Sequence, residues 1–191
     1  MASHRDPGVR PQIIVVDYDP DWADAFEAYR AHIWPHVDQY ASSIEHVGST
    51  AVPGLAAKPI IDMDIVVSDE AKADKVINCL SALGYIHLGE RGIAGRHAFI
   101  EPVTTPPHHL YVCIEGSLGL KNHLILRDHL RAHPEAVSGY AMLKRLLARH
   151  HPSDIEAYVD GKTSFIVNIL SRYNLLDTEV AEIVASNEKT S

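Results

Sequence analysis

Cysteine is scarce in this chain of 191 residues: there are two, Cys79 and Cys113, both in segments that read as helix and strand interiors. Two thiols cannot build a disulfide framework, so the expectation is reduced, buried side chains in a cytoplasmic protein. Long apolar runs are missing as well. The most apolar stretch, which begins at Pro59, is interrupted by Asp62 and Asp64, far short of the 18 or more residues of a membrane-crossing helix. Met1 to Gly8 carries Arg5 and Asp6 but no apolar stretch behind them, and so lacks the middle region of a secretory signal. Positive charge is also short: 17 Lys and Arg face 25 Asp and Glu, a net charge of −8 with neutral histidines. Extended nucleic acid is therefore not an expected partner, because general affinity for phosphate backbones comes from Lys and Arg displacing counterions. A small local basic pocket is still allowed. The 13 histidines are scattered, with no His-x3-His on a convincing helix, so spacing alone gives no metal cluster.

What is present is an ordinary globular composition, 46% hydrophobic and 22% charged. A length near the soft prior of about 150 residues per domain predicts one domain. Residues 12–16 read as an edge strand, and the dense acids of 17–21 as the start of a helix. Trp22, Phe26, Tyr29, Ile33 and Val37 recur at helical spacing, with Pro35 expected to kink or restart the helix. Strands are predicted at 43–47, at 60–67 as a central strand, and at 85–88, 97–101 and 109–114. Ser68 to Glu70 supplies an N-cap for a helix over 71–83, which Gly84 stops. Beyond Ser117 the leucine and tyrosine spacing is helical, with Pro134 and Pro152 at helix starts. The predicted class is α+β: a small mixed sheet flanked by helices, with a helical C-terminal layer. Residues 1–11 are expected to form a flexible N-terminus, 12–175 one domain (12–116 α/β, 117–175 helical), and 176–191 a C-terminal helix and tail.

The chemistry-bearing stretch is Gly48-Ser49-Thr50, a linker holding Lys58, then Asp62-Met63-Asp64 inside an apolar strand. Carboxylates at i and i+2 of a strand share a face, their α-carbons roughly 6.6 Å apart, and can converge on a hard cation. Without a cation such a buried pair is costly, since like charges raise one another's pKa. Mg²⁺ suits one or two carboxylates completed by phosphates and water, with Mn²⁺ the alternative. Gly48 allows close backbone approach, and the hydroxyls of Ser49 and Thr50 can hold phosphate oxygens. A phosphate holder beside a metal holder fits phosphoryl or nucleotidyl transfer, where catalysis is mostly positioning and charge neutralisation. His109 is a candidate base or ligand. Arg127, Lys144 and Lys162, on three predicted helices, could converge as an anion pocket around a charged substrate tail.

The order of an apolar residue, Gly-Ser, a spacer and Asp-x-Asp resembles the nucleotidyltransferase superfamily of the polymerase-β type. More narrowly, the segment from His46 to Asp62, with His109-Leu-Tyr-Val, Arg127 to Arg131, Tyr140 to Lys144, Tyr158 and Lys162, is similar to the GrpB family over about residues 12–173. That resemblance implies a nucleotidyltransferase-type sheet, Gly48 and Ser49 as phosphate contacts, and Asp62 and Asp64 as metal ligands. The superfamily's third acid should fall near 109–113, where this chain has His109, Tyr111 and Cys113. Glu101 and Glu115, at strand and turn ends, are poorer substitutes. The implied reaction is Mg²⁺-dependent transfer of a nucleotidyl group from a nucleoside triphosphate to a small acceptor. The missing carboxylate, and the family's occurrence joined to dephospho-coenzyme A kinase, leave open a noncatalytic nucleotide- or coenzyme A-binding module. A metal-dependent hydrolase built on the histidines is a third reading.

Overall fold

The computed structural model describes residues 12–173, Leu175 and residues 177–189; the expected N-terminal arm, residues 1–11, lies outside the described residues. In chain order the elements are α1 (Asp21–Val37), β1 (Ala41–Val47), a 3-10 turn (Ser49–Ala51), β2 (Ile61–Val67), α2 (Glu70–Ala82), β3 (Ile86–His87), β4 (Arg96–Ile100), β5 (His108–Ile114), α3 (Leu118–Ala132), α4 (Pro134–His150), α5 (Ile155–Leu170) and α6 (Asp177–Lys189). The strands form one mixed sheet ordered β1-β2-β5-β4-β3. Only the β2–β5 pair is parallel.

Strand alternation gives β2 two unlike faces. Ile61, Met63, Ile65 and Val67 pack with Trp22, Phe26, Ile33 and Val37 of α1 and with Ala73, Val76 and Leu80 of α2. Met63, Ile65, Ile33 and Val37 are fully sealed from solvent, each contributing about 1.5–3 kcal/mol relative to an exposed side chain. On the other face Val66 meets Cys113 of β5 and Leu120 of α3. A further core joins Val52, Leu55 and Ala56, in the linker before β2, to Leu130, Tyr140, Ala141 and Ile169 of the C-terminal helices. There the rings of Tyr140 and Phe165 stack at 4.6 Å between centroids and 4° between planes. The linker and the helical layer are thus held together, which brings α4 and α5 against the start of β2.

Several expectations need correction. Residues 12–16 do not form a strand: Val16 makes one bridge to Ala57, Ile13 N–H donates to Pro152 C=O, and Ile14 is 59% exposed. Loops, not a sheet edge, satisfy this backbone. α1 runs through Pro35 without restarting. The proline removes one bond near the helix end, while Ile33 and Val37 anchor the turns on either side. The α2 cap falls inside the expected 68–70 segment: it is Asp69, whose carboxylate accepts Lys72 N–H at 3.0 Å. α4 does begin at Pro134, but Pro152 sits in the turn before α5, whose cap is Asp154. One His-x3-His pair is in fact helical, His32 with His36 on α1, and a second, His129 with His133, runs from the last turn of α3 to the capping residue that follows it. Among the described residues no three His, Cys, Asp or Glu side chains gather where they could hold a metal ion. No described helix is long and apolar enough to cross a membrane.

Candidate functional site

β1 ends at Val47, and the chain turns at Gly48 with φ +74° and ψ −147°. Two constraints fix glycine here. The positive φ disfavours any side chain, and a Cβ would run into Asp62 Oδ2, with the carboxyl carbon only 2.9 Å away. What approaches this backbone is the carboxylate of the neighbouring strand. Ser49 then faces a cavity, whereas Thr50 turns inward: it is 2% exposed, with its hydroxyl 2.9 Å from His46 Nε2. His46 itself stacks on Phe26, 4.6 Å between centroids and 8° between planes. Its burial first, and the charge of Arg131 second, lower its pKa to about 4, so His46 is a neutral packing residue.

Asp62 and Asp64 project from the same face of β2, and the register sets each beside a β5 residue: Asp62 opposite His109, Asp64 opposite Tyr111. Each aspartate is bound by a histidine. His109 Nδ1 lies 2.6 Å from Asp62 Oδ1, and His123 Nδ1 lies 2.8 Å from Asp64 Oδ2. For Asp62, burial works to raise the pKa, but the hydrogen bond and charge of His109, with His123 and Lys58 behind, win and hold it below the ordinary carboxylate range. An ionised Asp62 accepts only, so His109 carries its proton on Nδ1 and leaves Nε2 as the basic nitrogen. The two carboxylates differ in access. Asp62 is 29% exposed at its side chain, while Asp64 has no exposed surface and its Oδ1 has no hydrogen-bond partner among the described residues. His123 carries no motif signature, because its partner lies 59 residues away in the chain.

The cavity has a volume of about 200 Å³ and is lined by Ser49, Ala57, Lys58, Ile60, Asp62, His109, Lys144, Tyr158, Val159 and Lys162. Six of the residues singled out in the sequence meet there: Ser49 and Lys58 from the linker, Asp62, His109, Lys144 from α4 and Lys162 from α5. Lys144 is 2% exposed and its Nζ lies 3.0 Å from Ser49 Oγ. The ammonium groups of Lys144 and Lys162 sit over the rings of Tyr140 and Tyr158, at 4.7 and 4.6 Å. Burial first, then the neighbouring charge of Lys162, brings the pKa of Lys144 down to about 7; burial, then Lys58, brings that of Lys162 to about 8. Among the described residues none of these three lysines is paired with a carboxylate.

Arg127 does not join this group. From α3 it pairs with Glu45 at 2.8 Å and Asp128 at 2.7 Å and donates to the C=O of His46, which ties α3 to β1. The expected three-helix anion pocket is a pocket of two helices and the linker, because an arginine beside two carboxylates already has its counter-ions. Arg131 likewise donates to Ala51 C=O.

A mixed sheet with flanking helices, and a Gly-Ser turn set against an aspartate pair, define a nucleotidyltransferase-type fold. The GTP-bound, magnesium-containing crystal structure of the Cid1 poly(U) polymerase superposes with a TM-score of 0.50 at 13% identity, over 68% of this chain and 43% of that one. The profile of the GrpB protein family matches residues 12–172, and the chain belongs to that family. The conserved protein GrpB from Enterococcus faecalis superposes with a TM-score of 0.74 at 33% identity, over 84% of this chain and 99% of that one. The UPF0157 protein YqkA of Bacillus subtilis is 37% identical over 155 residues, 81% of this chain, and this chain spans only 45% of YqkA's length. A protein of Mycolicibacterium paratuberculosis named dephospho-CoA kinase is 28% identical over 180 residues, 80% of this chain and 44% of that protein.

Proposed function

We propose that the protein is a Mg²⁺-dependent nucleotidyltransferase that takes a nucleoside triphosphate as donor and a small molecule as acceptor. The observation that carries this reading is the convergence of Lys58, Lys144 and Lys162, without carboxylate partners among the described residues, on a cavity that also exposes Asp62. Three cations concentrated in a protein of net charge −8 call for a compact polyanion. Asp62 and Asp64 are the residues that would hold the metal, Mg²⁺ or in its place Mn²⁺. The Oδ1 of Asp64, without a hydrogen-bond partner among the described residues, is an acceptor in need of a cation or a water, and a pair of carboxylates with no third donor among those residues suits Mg²⁺, which keeps phosphate and water ligands. Bound there, the ion would neutralise and orient the phosphates. His109 and His123 orient the two carboxylates as outer partners.

In the reaction an acceptor hydroxyl oxygen bonds to the α-phosphorus and the bond from that phosphorus to the bridging oxygen breaks. Pyrophosphate leaves, and the acceptor proton passes to His109 Nε2. Lys58, Lys144 and Lys162 hold the departing charge, with Ser49 and the Gly48 turn beside it. The hydrolase reading has no donor set among the described residues. The binding-module reading retains one specific support: β5 presents His109 and Tyr111 where a third carboxylate would stand. Titration calorimetry with nucleoside triphosphates, with and without Mg²⁺, and a pyrophosphate-release assay over a pool of acceptors separate these. The expected result is Mg²⁺-dependent binding, and turnover that Asp62→Asn lowers at least tenfold. Binding with no pyrophosphate from any acceptor would leave the module. Absence of metal-dependent binding, with Asp62→Asn indistinguishable from wild type, would overturn both the transfer reading and its metal.

A further inference from the structure

Lys58 and Ile60 line two cavities. One, of about 200 Å³, is the candidate site with Asp62 and His109; the other, of about 630 Å³, lies between residues 12–13 and the turn into α5. Sites that enclose an organic ligand run from roughly 300 to 1,000 Å³, so the smaller cavity has room for phosphates and an ion but not for a whole nucleotide. Its lysines stand in a row. Lys144, 2% exposed, donates to Ser49 Oγ; the cation that acts most on Lys144 is Lys162, the one that acts most on Lys162 is Lys58, and Lys58 borders both cavities. A polyphosphate laid along that row begins at Ser49 and delivers its organic end at Lys58, into the larger cavity.

The surface of that larger cavity suits a nucleoside. Ile13, Ile60 and Ile155 give it apolar walls, and Ile155 is left 47% exposed, a side chain that gains from being covered by the face of a flat ring. Its polar groups are mostly acceptors. They are the exposed carboxylate of Glu156, the amide of Gln12, the hydroxyl of Ser153, and the carboxylate of Asp154, one oxygen of which caps α5 by accepting Ala157 N–H at 3.0 Å. An exocyclic amino group donates to such acceptors, whereas uracil would turn a carbonyl oxygen toward them. We infer that this cavity holds the nucleoside of the donor and favours a base with an exocyclic amino group, adenine, cytosine or guanine, over uracil. The inference rests on the reading of the lysine cavity as a triphosphate site.

Titration calorimetry in Mg²⁺ with ATP, CTP, GTP, UTP and inorganic tripolyphosphate tests it, since tripolyphosphate presents the phosphates without a nucleoside. The best of ATP, CTP and GTP should bind about tenfold tighter than UTP and about tenfold tighter than tripolyphosphate. Ile155→Asn puts a polar group on the apolar wall at an exposed position in the first turn of α5. It should weaken the preferred nucleotide about fivefold and leave tripolyphosphate unchanged. Glu156→Gln, which exchanges an acceptor-only group for one that also donates, should narrow the gap to UTP about threefold. Tripolyphosphate bound as tightly as every nucleotide, UTP bound as tightly as the other three, or a preferred nucleotide indifferent to both substitutions would each overturn the inference while the lysine cavity stands as a polyphosphate site. Binding of neither tripolyphosphate nor any nucleotide would overturn the transferase reading, and this inference with it.

Discussion

A single buried imidazole makes a pH prediction. His46 is neutral in the fold because burial and the charge of Arg131 hold its pKa at about 4, against 6.5 for a free histidine. The unfolded chain therefore binds one more proton between those values, and stability rises with pH across that window. The loss on acidification begins near pH 6.5, is complete by about pH 4, and amounts to at most about 3 kcal/mol. His46→Phe keeps an aromatic ring against Phe26 while removing the proton site. At pH 7.5 it should cost about 1 kcal/mol, for the orphaned Thr50 hydroxyl. Urea unfolding from pH 7.5 to 4.5 should then show a shallower decline than wild type, and equal slopes would refute the assignment. The same residue shows what a sequence can and cannot disclose. Asp62 and Ser49 stand in a short local pattern, so their chemistry is legible. The hydrogen-bond partners of such motif residues are remote: His123 for Asp64, Lys144 for Ser49, at separations of 59 and 95 residues.

Helices and strands were legible wherever apolar spacing was clear, as in α1, α2 and β2. They were misread where a backbone found partners outside a ladder, as at residues 12–16. Orientation around a helix is the harder matter. Arg127 and Lys144 both lie on C-terminal helices at spacings that allow either solvent or site, and only the crossing of α3 over β1 sends Arg127 to Glu45. That crossing yields a prediction about the element. Arg127 is 12% exposed at its side chain and Glu45 31%, so the pair is screened incompletely, and the Arg127 bond to His46 C=O adds to it. Arg127→Met keeps the stem but strands Glu45, whose carboxyl Arg127 and Ser43 hold below the ordinary range against the opposing effect of burial. The expected cost is about 1–3 kcal/mol in chemical unfolding, visible as a loss of stability and not of nucleotide affinity. A tenfold weaker nucleotide affinity with unchanged stability would return Arg127 to the binding site.

At the scale of the molecule, the candidate site is where two cores meet. The sheet and α1–α2 form one, and the linker with α3, α4 and α5 forms the other; the cavity takes Asp62 and His109 from the first and Lys144, Tyr158 and Lys162 from the second. The sequence announced both halves, a mixed α/β part and a helical part, but not that the buried Lys144 and the half-buried Lys162 would line one cavity with Asp62. Holding Lys58, Lys144 and Lys162 together without counter-ions costs folding energy through mutual repulsion and desolvation. A polyanion that binds all three removes that repulsion and couples the two cores. Ligand at a hundred times its dissociation constant stabilises the fold by about 2.7 kcal/mol. Because the contacts straddle both cores, the gain should not stay local. Hydrogen exchange with nucleoside triphosphate and Mg²⁺ should slow in residues 48–62 and, to a similar degree, in α4 and α5, while the distant β3–β4 hairpin stays near its unliganded rate. Protection confined to 48–62 would mean that the helical layer does not take part in binding, and the two lysines would then be packing residues whose repulsion the fold simply tolerates.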